Sequence, residues 1–394
     1  MTPPAPAPVP VVPVAVIGAG PAGLATAAAL QRRGIDAVVL ERTAVGASWR
    51  GAYDSLELNT ERALSALPGL PLPDDDGPWV TRDRFVDYLD AYAERFGLDV
   101  RAADVTRLDR VEGGWALVGA GLVARQVVVA TGAQRVPRLP DWGATSLPVV
   151  HSGAYRRATD HAGQVVLVVG GGNSGCEIAH DLAGGPARHV LLAVREPAAL
   201  LPKQLGPVSL QRAAFAVLPL PSVVADAAVR GLLATRLSDR RRGLRTPAHV
   251  ISKARAGHVT AVDTGLRADV HRGRVTVVPA VESLVGRTVR LADGSALTPD
   301  LILAATGWTP GLEPLVGHLR TAHRMSLLDR TGRPTARAAD EALPGLRFVG
   351  FAPTLTGFLR EGAFEAELAA QAIAGAGLVE RTLTAVRRRL PLPA

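Results

Sequence analysis

An α/β fold with two Rossmann-like units is predicted by three features of this 394-residue sequence. An apolar strand, a glycine-rich turn and a helix of small residues run in that order from Val12 to Gly34, and again from Val165 to Gly185. Each copy leads into a further strand of buried type, Ala37–Leu40 and His189–Val194, so strand–helix–strand occurs twice, the mark of a parallel sheet. Two more apolar strands, Val127–Thr131 and Leu301–Thr306, flank the second copy and each runs into a Thr-Gly turn.

The elements follow in order. Six prolines fall within the first 13 residues with no basic segment before them, and proline removes backbone donors, so 1–11 reads as a short extended tail. No later stretch offers a Gly- and Pro-free apolar span of about 18 residues, which predicts a cytoplasmic protein without a membrane span. Arg84–Phe96 places Phe85, Leu89, Tyr92 and Phe96 on one helical face, a core-packing pattern ended by Gly97. Gln211–Leu237 is apolar and helix-like but broken at Pro219 and Pro221, a helical insertion over about 205–245 that could border a substrate. Arg287–Leu297 reads as a hairpin around Asp293-Gly294, and a closing helix is expected near Gly362–Ile373.

The glycines carry the chemistry. Gly18-Ala19-Gly20-Pro21-Ala22-Gly23 directly follows a strand. Gly18 permits the turn, Gly20 admits a pyrophosphate to the backbone, and Gly23 lets helix and strand pack closely. The helix N-terminus adds unpaired N–H groups and partial positive charge. Glu41, with Arg42 beside it, ends the next strand where an acid binds ribose hydroxyls. Gly170-Gly171-Gly172-Asn173-Ser174-Gly175 repeats the arrangement, but Arg195 follows its next strand. A guanidinium pairs with a 2′-phosphate that a carboxylate would repel, which favours NADPH there and FAD in the first cradle.

Composition narrows the rest. The single cysteine, Cys176, excludes an intrachain disulfide, a C-x-x-C dithiol and cysteine-rich metal sites; no metal is expected. The net charge of +8 rests on 42 arginines and two lysines, Lys203 and Lys253. The densest basic run, Arg236–Arg245, lacks the stacking aromatics of a single-strand binder and reads as a solvated helix face, so no nucleic acid is expected.

These residues and their neighbours resemble the flavin-containing monooxygenase family, especially its YUCCA-like and bacterial branches, over about Val12–Ile373. Gly46-Ala47-Ser48-Trp49 is similar to a flavin segment G-x-x-W, and Tyr53–Thr60 to an active-site loop bearing asparagine, here Asn59. Ala130-Thr131-Gly132 and Ala305-Thr306-Gly307 resemble the ends of its two linker strands, and Gly345–Phe351, with Gly350 and Phe351, its C-terminal return to the flavin. The identifying motif F-x-G-x-x-x-H-x-x-x-[YFW] is half present: His151 and Tyr155 match, while Thr145 and Leu147 stand where Phe and Gly are expected.

The resemblance implies an NADPH-dependent monooxygenase that inserts one atom of dioxygen into a small organic substrate, at nitrogen, sulfur or activated carbon, through a C4a-(hydro)peroxyflavin. Asn59 would hold that intermediate and the nicotinamide; Trp49 and Trp308 read as packing residues. It also implies domain bounds: FAD-binding 12–146 and 298–383, NADPH-binding 147–297, and a tail 384–394. A non-oxygenating NADPH-oxidising flavoprotein or redox partner protein is the alternative, ahead of a flavin disulfide reductase, which one cysteine disfavours. The sequence is as compatible with a homodimer as with a monomer.

Overall fold

The computed structural model describes residues 9–74, 77–196, 198–234, 244–245, 248–255, 260–321, 323–335, 343–351 and 356–389. Most of the proline-rich tail and most of the basic run at 236–245 lie outside them. Among the described residues no helix is long and apolar enough to cross a membrane.

Two sheets organise the chain. The first has Val11–Ile17 at its centre, parallel to Ala37–Glu41 on one side and Leu122–Val129 on the other, with Asp99–Ala102 beyond the former. An antiparallel meander, Arg107–Val111 and Gly114–Val118, extends it past Leu122–Val129. Leu346–Phe348 then returns from the far end of the chain to pair in parallel with Val127–Val129. The second sheet is wholly parallel, in the order Val275–Val278, His189–Ala193, Val165–Val169, Leu301–Ala304, Val149–His151.

The central strands of both sheets are covered on both faces, which explains why Val11–Ile17, Val165–Val169 and Leu301–Ala304 read as apolar runs. Val14 and Val16 enter one core with the helices Pro21–Gln31, Arg82–Arg95 and Phe358–Arg389, while Ala15 and Ile17 enter another with Trp115 and Leu315. In the second unit Val166 and Val168 pack against the helix Asn173–Gly184, and Leu167 and Val169 against the hairpin around Val289. The closing helix meets the first through Ala363, Ala366 and Ala370, small side chains that allow close approach.

Five expectations change. Leu301–Ala304 joins the second sheet, so the boundary expected at 298 falls inside that unit, and the first sheet resumes at Leu346. The strand expected at Val127 begins at Leu122, and the strand expected from Val12 begins at Val11. The insertion contains its helices, Leu210–Val217 and Ser222–Ala234, parted at the prolines, but it also adds strands: Ala198–Pro202 pairs with Leu244–Arg245 and Ala261–Asp263. The closing helix runs from Phe358 to Arg389, beyond both the expected Gly362–Ile373 and the start of the expected tail.

The chain crosses between the units twice, and the two crossings pair with each other. Val136–Pro137 lies antiparallel to Trp308–Thr309. The Arg138 amide donates to Gly307 O at 3.0 Å, and Thr306 Oγ1 donates to Arg138 O.

Candidate active-site cleft

The two glycine turns have the same geometry. Gly18 and Gly170 adopt φ of 106° and 128°, a region L side chains avoid. A Cβ on Gly23 would lie 1.9 Å from Gly18 O, and one on Gly175 would lie 1.9 Å from Gly170 O. Gly20 and Gly172 are the helix N-caps, and a Cβ on either would meet nothing within 4 Å. Each cradle therefore has a closed side packed on its own strand and an open side toward which helix N–H groups point.

A cleft of about 710 Å³ runs across both units. Gly18, Gly20, Glu41, Arg42, Ser48, Ala130 and Thr131 line it from the first unit, and Ser152, Ser174 and Trp308 line it from the second unit and the crossing strand. Glu41 Oε2 accepts from Ala19 N at 2.9 Å, and Oε1 accepts from the Thr43 amide at 3.1 Å. Oε1 also accepts from Thr43 Oγ1 at 3.2 Å, and a carboxylate, with about four lone-pair sites, can still receive a hydroxyl donor beyond these three. Thr131 Oγ1 is buried with no hydrogen-bond partner among the described residues. An orphaned hydroxyl and an open glycine on one wall are what a seated nucleotide would complete, so the residues fit such a group. Among the described residues no three metal-ligating side chains cluster.

Other expected site residues have different occupations. Trp49 turns into the first core, edge-on to Phe85 with centroids 4.8 Å apart, while Ser48 beside it lines the cleft. Pro21 starts the first helix, and Ala22 faces Gly350, where a Cβ would approach it to 2.9 Å. The Gly350 amide donates to Glu365 Oε2 at 2.6 Å, and Phe351 is buried in the first unit's second core. Burial pushes the Glu365 carboxyl up. Gly132 adopts φ 82° just past Thr131. Thr306 and Gly307 serve the paired crossing. Asn173 Oδ1 accepts from Val262 N at 2.8 Å, tying the insertion to the second cradle. Arg195 is exposed at the end of its strand.

His151 is a satisfied structural residue. Its Nδ1 accepts from Gly153 N at 3.1 Å, which leaves Nε2–H to donate to Gly307 O at 2.9 Å. Trp308 packs edge-on against it, and Gly153 makes the room, since a Cβ there would lie 2.4 Å from the indole. The half-matched motif keeps this junction by other means: Leu147 fills the core under the second sheet, and Thr145 Oγ1 donates to Gly286 O at 2.8 Å.

Asn59 sits outside the cleft lining but joins the two units. Its Nδ2 donates to Glu177 Oε1 at 2.6 Å, and Tyr53 OH donates to Glu177 Oε2. Gln211 Nε2, from the insertion, donates to Asn59 O at 2.7 Å. The insertion grips the same loop again through Lys203 to Glu57 at 3.0 Å and Arg212 to Glu61 at 2.6 Å. Thr60 underlies Gly357, where a Cβ would lie 2.7 Å from its hydroxyl. No local pattern points to Glu177 or Gln211, because their partner Asn59 lies 118 and 152 residues away.

Comparisons with known proteins agree with this architecture. A family model described as pyridine nucleotide-disulphide oxidoreductase matches residues 15–211. Indole-3-pyruvate monooxygenase YUCCA1 of Oryza sativa subsp. japonica is 36% identical over 318 residues, 75% of this chain and 77% of the relative. The flavin-containing monooxygenase from Stenotrophomonas maltophilia superposes with a TM-score of 0.68 at 24% identity, covering 93% of this chain and 99% of that one. The bacillithiol disulfide reductase of Staphylococcus aureus gives 0.65 at 17%, covering 93% and 99%. This chain has one cysteine, and Cys176 is buried, its thiol pushed up to about 12 by burial, so it offers no dithiol for disulfide exchange. On the identity and coverage of its monooxygenase relatives, the chain belongs to the flavin-containing monooxygenase family.

Proposed function

We propose that this flavin monooxygenase takes FAD in the first cradle and NADPH in the second, and inserts one atom of dioxygen into a small organic substrate at nitrogen, sulfur or activated carbon. One observation carries the reading: a single cleft is lined by Gly20 and Glu41 on one side and by Ser174, at the start of the second cradle's helix, on the other. When bound, the nicotinamide supplies hydride and the flavin supplies the reduced ring that engages dioxygen.

The chain's own residues bind, orient and exclude water. The open N-termini at Pro21 and Asn173 receive the diphosphates, Gly20 and Gly172 allowing close approach. Glu41 accepts from ribose hydroxyls, and Thr131 gains the partner it lacks. Arg195, at the strand end facing solvent, pairs with a 2′-phosphate. Leu56, Val105, Ala130 and Trp308 give the cleft its apolar wall, which limits the water that would divert oxygen to peroxide.

The rice relative is named for indole-3-pyruvate, so a 2-oxo acid heads the substrate panel, beside an amine and a thioether. With labelled dioxygen, one product should carry the label while NADPH consumption exceeds peroxide release. Peroxide equal to NADPH consumed with every substrate would overturn the oxygenase reading in favour of a non-oxygenating flavoprotein.

A further inference from the structure

Glu177 lies two residues beyond the last glycine of the second cradle, off the buried face that Cys176, Ile178, Ala179 and Leu182 present. Its carboxylate nevertheless reaches out of its own unit to hold Asn59 and Tyr53. One turn along the same helix, Asp181 Oδ2 accepts from Tyr155 OH at 2.5 Å, and the Tyr53 and Tyr155 rings stand 6.1 Å apart. Burial, and next the Glu177 charge, push the Tyr53 phenol well up, so it stays a donor.

A carboxylate accepts and does not donate, so it decides which end of the Asn59 amide faces it. The nitrogen turns to Glu177. The oxygen, Oδ1, is left buried without a partner among the described residues. A buried acceptor without a donor costs free energy until a ligand brings one.

We infer that Glu177 is a positioning residue: it fixes Asn59 so that the side chain offers a ligand a hydrogen-bond acceptor, and it makes the orientation of this first-unit loop depend on the helix of the second cradle. The ligand group read by Asn59 is then an N–H or O–H donor. The inference rests on the proposed placement of the nicotinamide nucleotide in the second cradle only for the response of Asn59 to NADP+, not for the contact with Glu177.

The sequence contains two asparagines, Asn59 and Asn173, so asparagine-selective 15N labelling of the flavin-loaded enzyme gives two side-chain amides to follow. Before NADP+ is added, the Asn59 amide should exchange its protons about tenfold faster in Glu177→Ala than in wild type, with Asn173 unchanged. Glu177→Gln, which keeps an acceptor and the side-chain volume, should give an intermediate rate. Added NADP+ should shift both amides in wild type and only Asn173 in Glu177→Ala. Unchanged Asn59 exchange in both variants, or an equal NADP+ shift of Asn59 in wild type and Glu177→Ala, overturns the inference. If NADP+ moves neither amide in wild type, the placement of NADPH fails instead, and the exchange measured without NADP+ still decides the role of Glu177.

Discussion

The two cradles share a backbone and differ in almost every side chain that could touch a ligand. Gly18 N donates to Leu40 O at 2.8 Å and Gly170 N to Ala193 O at 2.9 Å; Leu24 N and Cys176 N each reach back 3.0 Å to the capping glycine. Around that common frame the first has Pro21 and Glu41, the second Asn173 and Arg195. On the proposed assignment, the frame would meet what two dinucleotides have in common, a diphosphate, and the side chains would meet what separates them. The second cradle also carries Glu177, through which it reaches the other unit, while Ala25, the matching position of the first helix, is buried in its own core.

Substitutions of the packed glycines should break the symmetry most severely. In Gly23→Ala the new methyl meets a carbonyl, which should destabilise the first unit by about 3 kcal/mol and yield colourless protein on purification. Gly175→Ala should impose the same strain on the second unit yet retain flavin, read as a yellow protein that no longer binds NADP+. Gly20→Ala and Gly172→Ala, with open space around the methyl, should melt within a few degrees of wild type and each lose its own nucleotide.

The next effect is common to both units and appears in alkali. All four tyrosines are buried and have raised phenols, Tyr88 and Tyr92 in the first unit and Tyr53 and Tyr155 at the second cradle's helix. Tyr92 is pushed up to about 12, chiefly by burial. With folded values above the unfolded one near ~10, their contribution is complete below that pH and is lost as pH rises toward the folded values. Absorbance at 295 nm should therefore show no phenolate step in native protein near pH ~10, and urea midpoints should fall between pH ~9 and ~11. A native-state titration at the unfolded value would contradict the burial described here.

Smaller still, Arg195→Ala should raise the KM for NADPH about tenfold and leave that for NADH nearly unchanged, since only one carries the 2′-phosphate. Equal effects on both would remove that distinction between the cradles. Smallest of all, Cys176→Ala should cost about 1 kcal/mol, and native Cys176 should resist iodoacetamide at pH 8. Rapid alkylation would show the second helix to be looser than its twin.

What could be read from the sequence was local. The glycine turns and the helix bearing Phe85 and Tyr92 depend on neighbours within a few residues, and the structure has them where the pattern puts them. The meander at Arg107–Val118 escaped notice because charged residues on its exposed side interrupt the apolar signal. Leu301–Ala304 was legible as a buried strand, but periodicity does not say which sheet receives it. Glu177 looks like any solvent-facing helix residue, and its place is set by a contact between units that no local pattern encodes.

The return of Leu346–Phe348 to the first sheet bears on how the chain emerges during synthesis. Arg347 contacts Gln126, 221 positions away along the chain, and Gly345 O receives the Val127 amide at 2.7 Å. A ribosome delivers the whole second unit before that last strand, so the inserted unit has every residue it needs while the outer one still waits with an open edge. Contacts so distant along the chain are costly to close, and a folded guest, whose two crossings pair at Val136–Pro137 and Trp308–Thr309, shortens the loop that the outer unit must close.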